Sequence, residues 1–188
     1  MSKSLLPAWQ LREARRCLNH GGVIAYPTEA VYGLGCDPLD PHAVAHLLWL
    51  KSRAPEKGLI LIASTIEQLA PYICVDEMTE KELKKSWPGP VTWVVPAAAN
   101  VPAWITGGRN TIAVRVTAHP IAADLCTAFG GVLISTSANT SGKVPARNSL
   151  QVRKRLRSLP DMIINGATGQ RDRPTEIRDA TTGNLLRA

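Results

Sequence analysis

A chain of 188 residues, 45% of them hydrophobic, is long enough to bury a core and too apolar to stay disordered, so one domain is the default expectation. Lysine and arginine outnumber acids by 22 to 15, and the net charge of +7 suits an anionic partner such as a nucleotide or RNA, or simply a solvated basic surface. No apolar run approaches the ~20 residues that a membrane-spanning helix requires, so a cytoplasmic protein without membrane contact is expected.

In chain order, Pro7 to Asn19 carries Ala8, Leu11, Ala14 and Leu18 at helical spacing and is closed by Gly21-Gly22. Val23 to Tyr26 then has the content of a buried strand, which Pro27 should end because proline cannot donate to a ladder. The next residues read as a polar turn that brings Thr28, Glu29 and Tyr32 to the strand end, with Gly33 and Gly35 letting backbone pass close to a ligand. On local grounds alone a plain tight turn, with the threonine as a cap, is the preferred reading of that segment. A second helix is expected over Pro41 to Trp49, and it delivers Lys51, Arg53 and Lys57 ahead of a strand over Leu59 to Ala63.

Thr79-Glu80-Lys81-Glu82 matches a capping box for a short charged helix ending near Ser86. Trp87-Pro88-Gly89-Pro90 should form a rigid turn before a strand over Val91 to Pro96. Thr111 to Thr117 alternates, so that Arg115 projects from a strand on the side away from Ile112, Val114 and Val116. A helix from His119-Pro120 closes at Gly130-Gly131, and Val132 to Ser135 is strand again, running into hydroxyls and Asn139. A basic helix over 149–159 should wrap a charged face around Leu150, Val152, Leu156 and Leu159, as solvated surface or RNA contact. Met162 to Asn165 reads as a strand, 166–174 as a polar loop, and Thr175 to Asp179 with Leu185 to Arg187 as a closing hairpin. The domain is expected over residues 8–188, with 1–7 as an N-terminal tail. The elements interleave, yet the Pro- and Gly-rich turns and terminal hairpin predict an α/β fold with a mixed sheet.

Four cysteines, Cys17, Cys36, Cys74 and Cys126, lack zinc or redox spacing and read as reduced core thiols. The histidines form no metal or triad pattern, and no Walker A, G-x-G-x-x-G or G-x-S-x-G motif is present. What recurs is a strand end supplied with hydroxyls, amides or cations: Thr28 and Tyr32, Lys51 and Arg53, Arg115, then Ser135, Ser137 and Asn139. Converging in one cleft, such groups suit a polyphosphate, because cations offset its charge while hydroxyls and N–H groups direct hydrogen bonds. Lys51 and Arg53 can share a ligand only if the helix ends between them, which Pro55 favours. Each also has an ordinary role: Lys51 and Arg53 as helix C-terminal cations, Ser137-x-Asn139 as a turn and cap, Arg115 as a salt-bridge partner.

Tyr26-Pro-Thr-Glu-Ala-Val-Tyr-Gly-Leu-Gly35, Lys51-x-Arg53, Trp87-Pro-Gly-Pro-Val-Thr92, Ala113-Val-Arg-Val-Thr-Ala-His-Pro120 and Ser135-Thr-Ser-Ala-Asn-Thr-Ser-Gly142 occur in the order seen in the YrdC/Sua5 family. The chain resembles that family from about residue 8 onward, and with Pro174-Thr-Glu-Ile-Arg-Asp179 looks most like its bacterial single-domain form. The resemblance implies a single-domain twisted open sheet with flanking helices around a large positively charged cavity. It further implies an L-threonylcarbamoyladenylate synthase, a nucleotidyltransferase that uses L-threonine, bicarbonate or CO2, and ATP with its Mg²⁺, and releases pyrophosphate. The product would serve t6A modification of tRNA, with partner proteins of the TsaB, TsaD and TsaE type.

By that resemblance Lys51, Arg53, Ser137 and Asn139 are the catalytic and phosphate-binding candidates, with Thr111 and Arg187 as further nucleotide contacts. Thr28, Tyr32, Arg115, Ser135 and Thr175 would surround the threonine, Arg115 pairing with its carboxylate. The implied reaction has a threonine carbamate attacking the α-phosphorus, a step that needs positioning and charge stabilisation more than a protein nucleophile. Ala54 separates Lys51-x-Arg53 from Pro55 where some members have proline directly, and Thr-Glu-Ile-Arg-Asp replaces the Ser-Thr-Val-Val-Asp type of longer relatives. Two other readings are a carbamoyl-adenylating domain, normally part of a much larger polypeptide, and a double-stranded RNA-binding or ribosome-maturation factor. Steep salt dependence independent of threonine would mark the RNA binder.

Overall fold

The computed structural model describes residues 5–169, 171 and 175–187. Residues 1–4 of the expected tail, 170 and 172–174 of the expected loop, and residue 188 lie outside the described residues. Helix α1 (Ala8–Asn19) leads to β1 (Ile24–Pro27) and, after a four-residue turn, to β2 (Tyr32–Gly35). That second strand corrects the reading of this segment as loop: it pairs antiparallel with β1, Pro27 opposite Tyr32 and Ile24 opposite Gly35. Two glycines in four residues had hidden its strand character.

Helix α2 (Pro41–Lys51) is capped by Asp40, whose carboxylate accepts from His42 N and Ala43 N, and ends at Ser52 in left-handed conformation, φ 48°. A 3-10 turn (Pro55–Lys57) and β3 (Ile60–Ala63) follow. Helix α3 (Glu77–Ser86) starts earlier than the capping-box pattern places it. Asp76 is the cap, accepting from Thr79 N, so Thr79 lies inside the first turn. Then come β4 (Val91–Pro96), α4 (Ala103–Thr106), β5 (Thr111–Val116), α5 (Pro120–Phe129) and β6 (Leu133–Ser137), and the Trp87–Pro88 peptide before β4 is cis. Helix α6 (Ser149–Arg155) is shorter than the expected 149–159: only Val152 is buried, while Leu150 and Leu159 are exposed. Strands β7 (Met162–Ile163), β8 (Glu176–Asp179) and β9 (Leu185–Arg187) complete the chain, the last two forming the expected hairpin.

The strands form one mixed sheet in the order β7-β1-β2-β6-β3-β5-β4-β8-β9. Strict alternation sends neighbouring residues into two cores. Val23, Ala25, Leu61, Ala63, Val114 and Ile134 pack with Ala43, Val44, Leu47 and Leu50 of α2 and Leu83 of α3. Ile24, Tyr26, Ile62 and Leu133 pack on the opposite face against Ala14 and Leu18 of α1 and Ile121, Ala122, Leu125 and Cys126 of α5. Leu6 joins that second core. All four cysteines are free, but Cys74 is exposed and Cys17 only half-buried, so the core-thiol expectation holds for Cys36 and Cys126 alone.

Candidate functional site

Helices α1 and α5 cover only part of their sheet face. Along β6, Leu133 lies in the core, whereas Ser135 and Ser137, two and four residues on, are bare of helix and line a cavity. Register extends this floor sideways, since Ser135 pairs with Ile60, Ile60 with Ala113, and Ala113 with Val94, and all four line the same space. The cavity holds about 670 Å³, enough for a nucleotide beside a small molecule. Arg53, Lys57, Arg109, Arg115 and Arg187 line it, with Asp179 the only carboxylate among its described lining residues.

At one end Arg115 is nearly buried, 4% exposed, and its Nη1 donates to Thr175 Oγ1 at 3.0 Å and Thr92 Oγ1 at 3.3 Å. Its Nη2 lies 3.3 Å from Glu29 Oε2, and Glu29 Oε1 accepts from Thr117 Oγ1 at 2.7 Å and Ala118 N at 3.2 Å. Burial alone would raise the Glu29 pKa, but Arg115, the Thr117 hydroxyl and a backbone hydrogen bond outweigh it and hold the carboxyl below its ordinary value. Arg115 therefore is a salt-bridge partner and a cavity residue at once, and Glu29 fixes its direction. Thr28 lines the same end, its Oγ1 donating to Val31 O at 2.7 Å. Tyr32 also lines the cavity, yet its hydroxyl donates to Gly166 O at 2.8 Å and accepts from Gly166 N at 3.0 Å, so the phenol clamps the 166 loop to β2. Gly33 lines the cavity, whereas a Cβ on Gly35 would lie 2.5 Å from Ile134 O, so the second glycine serves packing inside the sheet.

Arg53 donates to Gly58 O at 2.9 Å, and Arg187 donates at 2.9 Å to the carbonyl of Thr175, the residue whose hydroxyl Arg115 holds. Burial first, then the charges of Arg115 and Arg53, lower the Arg187 pKa from its ordinary value, the mark of like charges gathered in one place. Thr111, Ser135, Ser137 and Thr175 line the cavity as well.

Lys51 and Asn139 do not line it. Helix α2 packs on the opposite sheet face, so Lys51, 2% exposed, reaches the β6 end from behind and donates to Ser137 O and to Asn139 O, the latter at 2.9 Å. Asn139 turns its Nδ2 to Thr140 O at 2.8 Å and Lys143 O at 2.7 Å. The helix does end between Lys51 and Arg53, as joint action requires, but the two side chains then part company across the sheet. Sequence reasoning missed Arg109, the fixing of Arg115 by Glu29, and the Thr92 and Thr117 hydroxyls. Glu29 beside Thr28 was the available signal; register across separate strands, which a single sequence does not reveal, decides the others.

Among the described residues no helix is long and apolar enough to cross a membrane, and no group of three His, Cys, Asp or Glu side chains could hold a metal ion.

Residues 16–188 match the Sua5/YciO/YrdC family model, described as telomere recombination. The chain is 55% identical to a protein named threonylcarbamoyl-AMP synthase from Alkalilimnicola ehrlichii, with 100% of each chain covered. The structure of P. abyssi Sua5 complexed with L-threonine aligns with a TM-score of 0.90 at 34% identity, covering 97% of this chain and 54% of that one, so the chain spans about half of that protein. E. coli YciO aligns with a TM-score of 0.81 at 29% identity, over 95% of this chain and 90% of YciO. With the family model and a full-length relative in agreement, the chain belongs to the Sua5/YciO/YrdC family.

Proposed function

We propose that this protein is an L-threonylcarbamoyladenylate synthase, which joins L-threonine, bicarbonate or CO2, and ATP into an adenylate and releases pyrophosphate. The observation that carries the reading is one cavity lined by a fixed, carboxylate-oriented Arg115 together with Arg53, Arg187 and Ser137. The relative from Alkalilimnicola ehrlichii and the threonine complex of P. abyssi Sua5 support it. Arg115 receives the threonine carboxylate, with Thr28, Ser135 and Thr175 around the amino acid and Tyr32 holding the adjoining loop. Arg53, Arg187, Thr111 and Ser137 face the nucleotide. Lys51 and Asn139 act from behind, fixing the backbone that presents Ser137.

The carbamate oxygen forms a bond to the α-phosphorus, the bond to the bridging oxygen breaks, and its electron pair leaves with pyrophosphate. Fixed guanidinium groups stabilise the charge that develops on the phosphates. Mg²⁺ would come with ATP and supply further charge neutralisation; Asp179 as the lone carboxylate among the described lining residues fits a metal carried by the nucleotide better than a protein-held one. The product feeds t6A modification of tRNA in the cytoplasm, with completing proteins of the TsaB, TsaD and TsaE type as partners.

Pyrophosphate release should require threonine and bicarbonate together, and release from ATP alone at the same rate would refute the reading. Arg53→Ala should lose ~10²–10³-fold in rate. Arg115→Ala should raise the KM for threonine far more than that for ATP, and a parallel rise in both would remove its carboxylate role.

A further inference from the structure

The activity proposed above gives no task to His119, which is 7% exposed and does not line the cavity. Its backbone N–H donates to Thr117 Oγ1 at 3.2 Å, the hydroxyl that in turn donates to Glu29 Oε1. Its ring Nε2 lies 3.1 Å from Ala167 O. Burial, outweighing the Ala167 carbonyl and Glu29, lowers the pKa from its ordinary value, so the neutral ring carries one proton. A carbonyl oxygen only accepts, which puts that proton on Nε2. Nδ1 is buried and has no hydrogen-bond partner among the described residues. A buried acceptor without a partner costs stability, so an apolar side chain would serve packing better unless the bond to Ala167 is needed.

Ala167 sits in the middle of a strap. After Ile164, whose N–H donates to Ala25 O at 2.8 Å, the chain leaves the sheet and runs past the end of β1 to the Thr28–Glu29 turn. Tyr32 Oη holds Gly166 by both its N–H and its carbonyl, and Gly169 N donates to Thr28 O at 2.9 Å. A Cβ on Gly166 would stand 2.5 Å from Ile121 Cδ1, and one on Gly169 would stand 2.3 Å from Glu29 O. The strap therefore rests directly on the backbone of Glu29, whose carboxylate orients Arg115. Of its fasteners, Tyr32 and Thr28 line the cavity, while His119 grips the middle from the start of α5.

We infer that His119 is a positioning residue for the amino acid, strapping residues 166–169 onto the Thr28–Glu29 turn so that Glu29 keeps Arg115 aimed at a carboxylate. This rests on the reading of Arg115 as the partner of the threonine carboxylate. A guanidinium pairs with a carboxylate through two parallel N–H bonds, so a small swing of its plane forfeits one of them. A loosened strap releases Thr28 and Glu29 together and leaves Arg53 and Ser137, on other segments, untouched.

Calorimetric titration of L-threonine into the intact chain, with AMP as the control ligand, tests this. Glutamine places an amide N–H near the position of Nε2, whereas asparagine is one methylene too short to reach Ala167 O. His119→Asn should weaken threonine about tenfold and leave AMP within about twofold, and His119→Gln should recover most of that loss. Gly169→Ala, which pushes the strap off Glu29 from its far end, should resemble His119→Asn and keeps the test decisive if that variant folds poorly. In pyrophosphate release, His119→Asn and Gly169→Ala should raise the KM for threonine with kcat and the KM for ATP close to wild type, whereas mere loss of folded protein would lower kcat alone. Threonine affinity unchanged in both variants, equal losses for AMP, or a glutamine variant as weak as the asparagine one would each overturn the strap. Wild-type protein that binds AMP but not threonine would instead remove the role of Arg115 on which the strap rests.

Discussion

Lys51 shows how far a residue can be read from its neighbours in the chain. Its spacing from Arg53 and the helix end between them were legible, because Pro55 disfavours helix just before it. The direction of the side chain was not, since that depends on which sheet face α2 covers. Burial, and then the charge of Arg53, lower the Lys51 pKa to about 7 from 10.5. Between those values the unfolded chain binds a proton that the folded chain does not, so folding stability rises with pH across that window. Urea unfolding of wild type should therefore gain stability from about pH 7.5 to about pH 9.5 relative to Lys51→Met, in which this titration is gone. Parallel pH profiles would mean that Lys51 stays charged in the folded protein. Arg115 is the converse case: alternation along β5 set its side, and Ala113 and Arg115 do face the cavity while Val114 packs against the other core. Its pairing with Glu29 joins residues far apart in the chain and was invisible without the fold.

Among the elements, the longer helices and apolar strands were legible because each carries its own period, and boundaries moved by only a residue or two for α1, α2, β3 and β5, whereas the four-residue α4 is too short to show one and was not expected. The hairpin of β1 and β2 was not, because a strand of Tyr32-Gly33-Leu34-Gly35 is held by its partners on either side more than by propensity. The cost of that arrangement is testable at Gly35. A Cβ there would stand 2.5 Å from Ile134 O and 2.9 Å from the Tyr26 ring. Gly35→Ala should destabilise by ~1–3 kcal/mol, the usual penalty of overpacking, and lower the melting temperature by several degrees. Gly33→Ala meets Thr28 Cγ2 at 3.2 Å and Ser135 Oγ at 3.4 Å, so it should melt closer to wild type and act on substrate binding instead. Equal melting temperatures for wild type and Gly35→Ala by scanning calorimetry would show that β2 and β6 have room to separate.

At the scale of the molecule, one sheet serves as core and as cavity floor, and the change from Leu133 to Ser135 and Ser137 marks the boundary between them. That change was written in the sequence; the strand order that aligns it with Ile60, Ala113 and Val94 was not, because pairing across distant segments leaves no local trace. Gathering Arg53, Lys57, Arg109 and Arg187 with few acids works against the empty fold and favours a bound polyanion. ATP at ~100 times its dissociation constant should add ~2.7 kcal/mol to unfolding stability and raise the melting temperature accordingly, whereas adenosine at the same concentration should add far less. Equal stabilisation by adenosine would place the binding energy in the base instead of the phosphates.

The start of α5 has a consequence for what the protein can accept. Pro120 opens the helix, and His119 before it is extended, φ −74° and ψ 118°, as a residue preceding proline tends to be. A helix begun one turn earlier would wind Thr117 and Ala118 out of the extended course in which both donate to Glu29, the carboxylate that holds Arg115. The proline thus guards the aim of a cavity guanidinium at one remove, through the carboxylate that steers it.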